Sequence, residues 1–211
     1  MARSKIKRPK GLTKEQKRML IFWEIGAFVF IMLTSSAFHF IYELSDFNPV
    51  AAAFGSVNES TWEHLKLFFW PGLAYTLVQH AFVKDFANNY WWAKAAALLA
   101  VPAGVIFSFY FYLGIALPRY GNGWLWADIS TGAFGIVLGN IVAYRIMTAP
   151  PREKRVNLRG QVVMGVMAVA FVAFTFFTPR FFLFEDFLGY EFRGEFGILE
   201  DYSEHLVFVD E

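Results

Sequence analysis

Trp91-Trp-Ala-Lys-Ala-Ala-Ala-Leu-Leu-Ala-Val-Pro-Ala-Gly-Val-Ile-Phe-Ser-Phe-Tyr-Phe-Tyr-Leu-Gly-Ile-Ala-Leu117 is overwhelmingly apolar and exceeds the ~20 residues that an α-helix needs to cross ~30 Å of hydrocarbon. Soluble domains distribute apolar residues periodically; a run of this length belongs in lipid. Four further segments have comparable character, at 19–41, 67–83, 124–147 and 160–177. Composition agrees: 56% of the 211 residues are hydrophobic and 18% are charged, and the mean hydropathy is +0.39. These values lie outside the soluble range, so the expected fold is an all-α polytopic transmembrane bundle of five spans in the cell membrane. Pro102 is expected to kink the third span.

Charge sets the expected orientation. Eight Lys/Arg fall within residues 1–18, against one acid, Glu15. The connecting segments 84–90 and 148–159 add Lys84, Arg152, Lys154, Arg155 and Arg159. The alternate segments 42–66, 118–123 and 178–211 are acidic taken together, with Arg119 the one charge in 118–123, and the last carries Glu191, Glu195, Glu200, Asp201, Glu204, Asp210 and Glu211. The positive-inside rule then places the N-terminus inside and the C-terminus outside. The chain divides into a basic cytoplasmic segment (1–18), the bundle (19–177) and an acidic extracytoplasmic tail (178–211). A basic segment directly before an apolar span is read as an anchor to anionic lipid rather than a nucleic-acid site. The first span is too long for a signal-peptide core and is expected to be retained. Residues 48–53 are too short to cross and suit a re-entrant or interfacial element.

The chain has no cysteine, which excludes disulfides, thiolate metal sites, iron–sulfur clusters and Cys nucleophiles. No phosphate-binding loop, dinucleotide fingerprint or nucleophile elbow is present. What remains is a polar stretch between apolar spans, Ser56-Val-Asn-Glu-Ser-Thr-Trp-Glu-His-Leu-Lys66. Ser56 with Glu59, and Ser60 with Glu63, each fit a capping box; a helix through them would put Glu59 and Glu63 on one face. Two such carboxylates repel unless a cation or a shared proton sits between them.

Depth selects the possible neighbours. His39 lies at the outer end of the first span with Glu43 one turn later, Asp128 begins the fourth, and Arg180, Glu185 and Asp186 follow the fifth, all in the expected outer layer. His80 lies on the order of 20 Å away along the membrane normal, which excludes a bis-histidine haem with His39. It falls instead in an inner layer with Glu24, Asn140 and Arg145, and a Glu24–His80 pair is expected there. Carboxylates plus imidazoles suit a divalent metal such as zinc, manganese or iron. The candidate ligands are His39, Glu43, Glu63, His64 and Asp128, with Glu59 as a general base. The competing structural reading caps the helix with Glu59 and Glu63 and pairs them with Lys66 or Arg180. Gly135-Ile-Val-Leu-Gly139 and the small face Ala96, Ala100 and Gly104 suit close packing of spans three and four, or dimerisation of span four.

His39-Phe-Ile-Tyr-Glu43, Asn48-Pro49, Val57-Asn-Glu-Ser-Thr-Trp-Glu-His-Leu-Lys66, Leu183-Phe-Glu-Asp186 and Gly197-Ile198 resemble a family of prokaryotic multi-pass membrane proteins known as a domain of unknown function. The resemblance implies an integral membrane protein and carries no activity with it. Three functions are compatible with these residues. The first is a membrane protein whose outer polar site binds an ion or small ligand. The second is a metal-dependent membrane hydrolase acting on a lipid-like substrate. The third is a structural or accessory subunit that joins further copies or partners in a membrane complex.

Overall fold

A computed structural model of the chain describes residues 11–208, so residues 1–10 of the expected basic segment and residues 209–211 of the tail lie outside the described residues. Seven α-helices run in the order α1 (Lys14–His39), α2 (Ile41–Leu44), α3 (Pro49–Ala52), α4 (Thr61–Val83), α5 (Tyr90–Tyr120), α6 (Leu125–Thr148) and α7 (Lys154–Phe176). There are no β-strands among the described residues; a single isolated bridge joins Glu185 to Phe196. α1, α5, α6 and α7 are long and apolar enough to cross a membrane. α4 has the length without the composition, because Glu63, His64, Lys66, Gln79 and His80 stand in it.

Local chemistry sets the boundaries. α1 begins at a complete capping box: the Gln16 amide donates to the Thr13 hydroxyl (3.2 Å), and the Thr13 amide donates to the Gln16 side chain (2.9 Å). The stretch 48–53 forms the single-turn α3, capped by Asn48 and started by Pro49 at its first position. α4 starts earlier than the apolar run suggests, because Ser60 caps it and accepts from the Glu63 amide. α5 runs unbroken through Pro102 and Pro118 and stops where Gly121 takes a left-handed conformation, φ 70°.

α4 packs against α1, α5 and α7, while α5 and α6 make the most extensive helix pair. Small residues form that seam. A Cβ on Gly135 would lie 2.8 Å from the Val101 carbonyl, and one on Gly139 would lie 3.0 Å from that of Ala97. The glycine motif of α6 is therefore filled by α5 of the same chain, not by a second copy.

The bundle has two chemically different ends. One carries the start of α1 with Lys14, Lys17 and Arg18, then Lys84, Arg145, Arg152 and Lys154. Asn89 ties this end together, donating to the Ile146 and Pro150 carbonyls while its own carbonyl accepts the Arg152 amide. The opposite end carries the last turn of α1, the first turns of α4 and α6, and the segment that follows α7.

A buried ion pair lies in the half nearer the basic end, with partners other than those expected. Glu24 accepts from Lys94 (2.6 Å) and Gln79 (2.9 Å), and the Asn140 amide donates to the Glu24 backbone carbonyl (2.9 Å). His80 instead stacks on Trp91, with ring centroids 4.5 Å apart. Lys94 takes the carboxylate as its one ion-pair partner among the described residues, whereas the His80 imidazole rests on an aromatic face.

Candidate metal site at one end of the bundle

Ser60 caps α4 with its hydroxyl, and its carbonyl begins the helical ladder while accepting from His64 Nδ1 at 2.9 Å. A carbonyl only accepts, so His64 carries its proton on Nδ1 and turns the Nε2 lone pair outward. That Nε2 lies 3.2 Å from His39 Nε2, on the last residue of α1. Glu59 closes the triangle, with Oε1 3.6 Å from His39 and Oε2 3.4 Å from His64. One ligand atom from each residue fits within a 4.8 Å circle. Zinc bound at 2.0–2.1 Å in tetrahedral geometry would separate its ligand atoms by about 3.3–3.4 Å, close to the 3.2 Å between the imidazole nitrogens and to each imidazole's approach to one Glu59 oxygen, so the three residues are spaced as candidate metal ligands.

Glu59 and Glu63 do not share a helical face. Glu59 precedes α4, and the Ser56 hydroxyl donates to the Asn58 carbonyl (2.6 Å) instead of capping a helix. Asn58 holds the turn: its side-chain carbonyl accepts the Ser60 amide, and its NH2 donates to the Gly197 carbonyl. At 1% exposure it is enclosed, which disfavours modification of the Asn58-Glu-Ser60 sequon in the folded chain.

The other expected ligands lie apart from this triangle. Glu63 points toward α7, where it is ion-paired with Lys66 and accepts from the Val57 amide and the Thr175 hydroxyl. Lys66 also donates to the Ala52 carbonyl (2.7 Å) and to Thr175 (2.9 Å). This matches the structural alternative for Glu63. Glu43 accepts the backbone amides of Val207 and Phe208. Asp128, in the first turn of α6, accepts from the Tyr190 hydroxyl at 2.6 Å, while its other oxygen, Oδ1, is buried without a hydrogen-bond partner.

The segment after α7 covers this end of the bundle, a feature with no periodic signal in the sequence. The Trp62 amide donates to the Leu183 carbonyl (2.8 Å), and the Glu59 amide donates to Asp186 (2.8 Å). Both oxygens of Asp186 are within 3.2 Å of His205 Nε2. Burial alone would push the His205 imidazole down. The hydrogen bond and charge of Asp186, with the charges of Glu59 and Glu195, outweigh it and hold His205 above the usual histidine range. Burial likewise opposes the Asp186 carboxylate, but its bonds from His205 and the Glu59 amide hold it below the usual carboxylate range. Burial and then Asp128 push the Tyr190 phenol up, so it stays protonated and donates.

His39, Glu59, His64, Asp128 and Tyr190 all line one cavity of about 420 Å³, within the size range of small-molecule sites. Its remaining wall is mostly apolar and comes from α1, α4, α5 and α6.

Membrane-length helices around a His/Glu cluster at one end define a helical bundle compatible with a membrane protein. The chain belongs to the family of unknown function DUF6512, which matches residues 11–198. Neither a curated protein nor a solved structure matches this chain.

Proposed function

We propose that this is an integral membrane protein of the cell membrane with five spans, α4 included, and that it binds a divalent metal ion, zinc first, through His39, Glu59 and His64. The observation that carries the site is the convergence of His39 Nε2 and His64 Nε2, 3.2 Å apart, on the Glu59 carboxylate, whose Oε1 lies 3.6 Å from His39 and whose Oε2 lies 3.4 Å from His64. Two imidazoles and a carboxylate also suit manganese and iron, so the donor set defines a class of ion. Glu59 becomes a ligand in this reading, not the base, and Glu43 and Glu63 serve the scaffold. Elemental analysis of protein purified without added chelator is expected to find about one equivalent of metal, as for a preformed three-ligand site. The His39→Ala/His64→Ala variant should carry almost none while eluting normally on size exclusion. Equal metal in both would refute the site.

The distribution of charge supports a cytoplasmic basic end and an external metal end, with α4 crossing alongside the other four. Because the chain has no cysteine, single substitutions report sidedness directly. In intact cells a membrane-impermeant maleimide should label Glu200→Cys, and should label Lys154→Cys only after lysis. The reverse pattern would invert the topology.

One observation favours a hydrolytic role for the centre. Three protein ligands leave a coordination position free, and the triangle lies in the wall of a cavity, as in catalytic rather than structural zinc sites. A bound ion lowers the pKa of water to about 7. In ester hydrolysis the water oxygen would bond to the acyl carbon as the ester C–O bond breaks. Asp128 would take the water proton and return it to the leaving alkoxide, giving an acid and an alcohol. A family of synthetic acyl esters offered to the purified protein tests this, and turnover unaffected by His64→Ala would exclude it.

A further inference from the structure

The cavity is asymmetric along the bundle axis. On α1 the lining residues Met32, Ser35 and His39 follow the i, i+3, i+7 stripe of one helical face. On α6 the corresponding stripe is Leu125, Asp128 and Gly132. His39 and Met32 are two turns apart, so the cavity extends about 10 Å from the metal triangle toward the middle of the bundle. At its head are the imidazoles, Glu59 and the Asp128–Tyr190 pair. At its foot are Met32, Leu67, Phe68 and Val105, with Phe68 lying against Gly132, where a Cβ would be 2.6 Å from the ring. Below that level α5 and α6 close on the Gly135 seam, which ends the cavity.

Its rim is also apolar. Ile129 lines the cavity while 52% exposed, and Leu125 beside it is 73% exposed. On a helix of membrane length such exposed residues meet lipid, so the cavity mouth faces the bilayer as well as the polar head layer. A small polar solute would leave the apolar foot against water, at a cost of about 25 cal/mol per Å². A chain from the bilayer would keep it dry. At the head, the buried Asp128 Oδ1 has no hydrogen-bond partner among the described residues, and a hydroxyl on a monoacyl or prenyl headgroup, or a protonated fatty acid, would donate to it.

We infer that the cavity takes a single-chain amphiphile supplied by the bilayer, with its oxygen-bearing head at His39, Glu59 and His64 and its chain against Phe68 and Gly132. The head placement rests on the proposed metal site; the chain placement rests on the shape and polarity of the cavity alone. The ligand class is thus a fatty acid or a monoacyl or prenyl lipid, not a bulky two-chain phospholipid held whole.

A fatty acid carrying a diazirine near its chain end is a direct probe. The full-length protein in lipid nanodiscs is photolysed with it, and labelled peptides are mapped by mass spectrometry. Metal content is measured on the same samples, so loss of the ion and loss of the chain site read separately. Labelling is expected to concentrate on residues 32–36 of α1 and 129–132 of α6, and excess unlabelled fatty acid should compete it away where acetate does not. Ser36→Trp fills the cavity without removing a core residue, because the Ser36 hydroxyl bonds only the Met32 carbonyl of its own helix. It should cut cavity labelling by about tenfold, equivalent to about 1.4 kcal/mol of lost affinity, with metal content retained. Phe68→Ala, which lengthens the foot, should shift labelling toward residues 101–105 of α5. Uniform labelling of bilayer-facing residues such as Phe22 and Val166, insensitive to both substitutions, would overturn the inference.

Discussion

Lys66→Met is expected to destabilise the protein by about 3–5 kcal/mol, the usual cost of leaving one member of a buried ion pair without its counter-charge. Lys66 is fully buried and Glu63 is 2% exposed, so neither can turn to solvent. The ammonium also satisfies the Ala52 carbonyl and the Thr175 hydroxyl, and Glu63 holds the Val57 amide. Its loss therefore unties α3, the polar turn and α7 together. Thermal denaturation in detergent, followed by intrinsic Trp fluorescence, reads the change. The double variant Glu63→Leu/Lys66→Met should recover much of the loss, because no charge is then stranded. A single variant within about 1 kcal/mol of the parent would show that solvent reaches the pair after all. Metal per folded molecule should be unchanged in both, since the pair points away from His39 and His64.

Gly160→Leu should be comparably damaging for a different reason. A Cβ at Gly160 would sit 2.5 Å from the Trp91 carbonyl carbon and 2.6 Å from the Trp92 amide nitrogen, in contact with backbone that cannot rotate away. Overpacking of a tight contact costs about 1–3 kcal/mol for small additions, and a leucine adds three more carbons at the α5–α7 crossing. The expected result is a large fall in melting temperature and in the fraction recovered as monodisperse protein. Gly165, in the same helix with nothing within 4 Å of its would-be Cβ, supplies the control. Gly165→Ala should be neutral or stabilising by about 0.5–1 kcal/mol through helix propensity. Equal effects at the two positions would contradict the crossing.

Much of this architecture was legible in the chain, and particular residues show why the remainder was not. The helices α1, α5, α6 and α7 follow from long, largely apolar runs, and Ser60 announced the start of α4 three residues before Glu63. His39 and His64 converge because each ends or begins a helix at the same level, which depth counting captures. Glu63 and His64 were both candidates for one ion, yet adjacent helical residues point about 100° apart, so one face could use only one of them. Glu59 lies in the turn ahead of the helix and faces both imidazoles, the place expected of Glu63. Lys94 was hidden inside the longest apolar segment; its partner Glu24 is 70 residues away in sequence, and only packing joins them. The cover over the metal end was the least legible part. Its contacts run through backbone amides and isolated polar side chains, such as Val207 to Glu43 and Asn58 to Gly197, and these leave no repeating pattern.

That cover imposes an order of events on biosynthesis. A ribosome that has delivered α1 through α6 has already supplied all three side chains of the triangle. At that moment the Glu59 amide, the Glu43 carboxylate and the Asp128 carboxylate still lack the bonds that come from residues 186–208. At the proposed metal site, ion capture can therefore precede roofing, since closure has to await residues 186–208. In a chain cut short after α7, an ion at the proposed site would remain in reach of competing chelators.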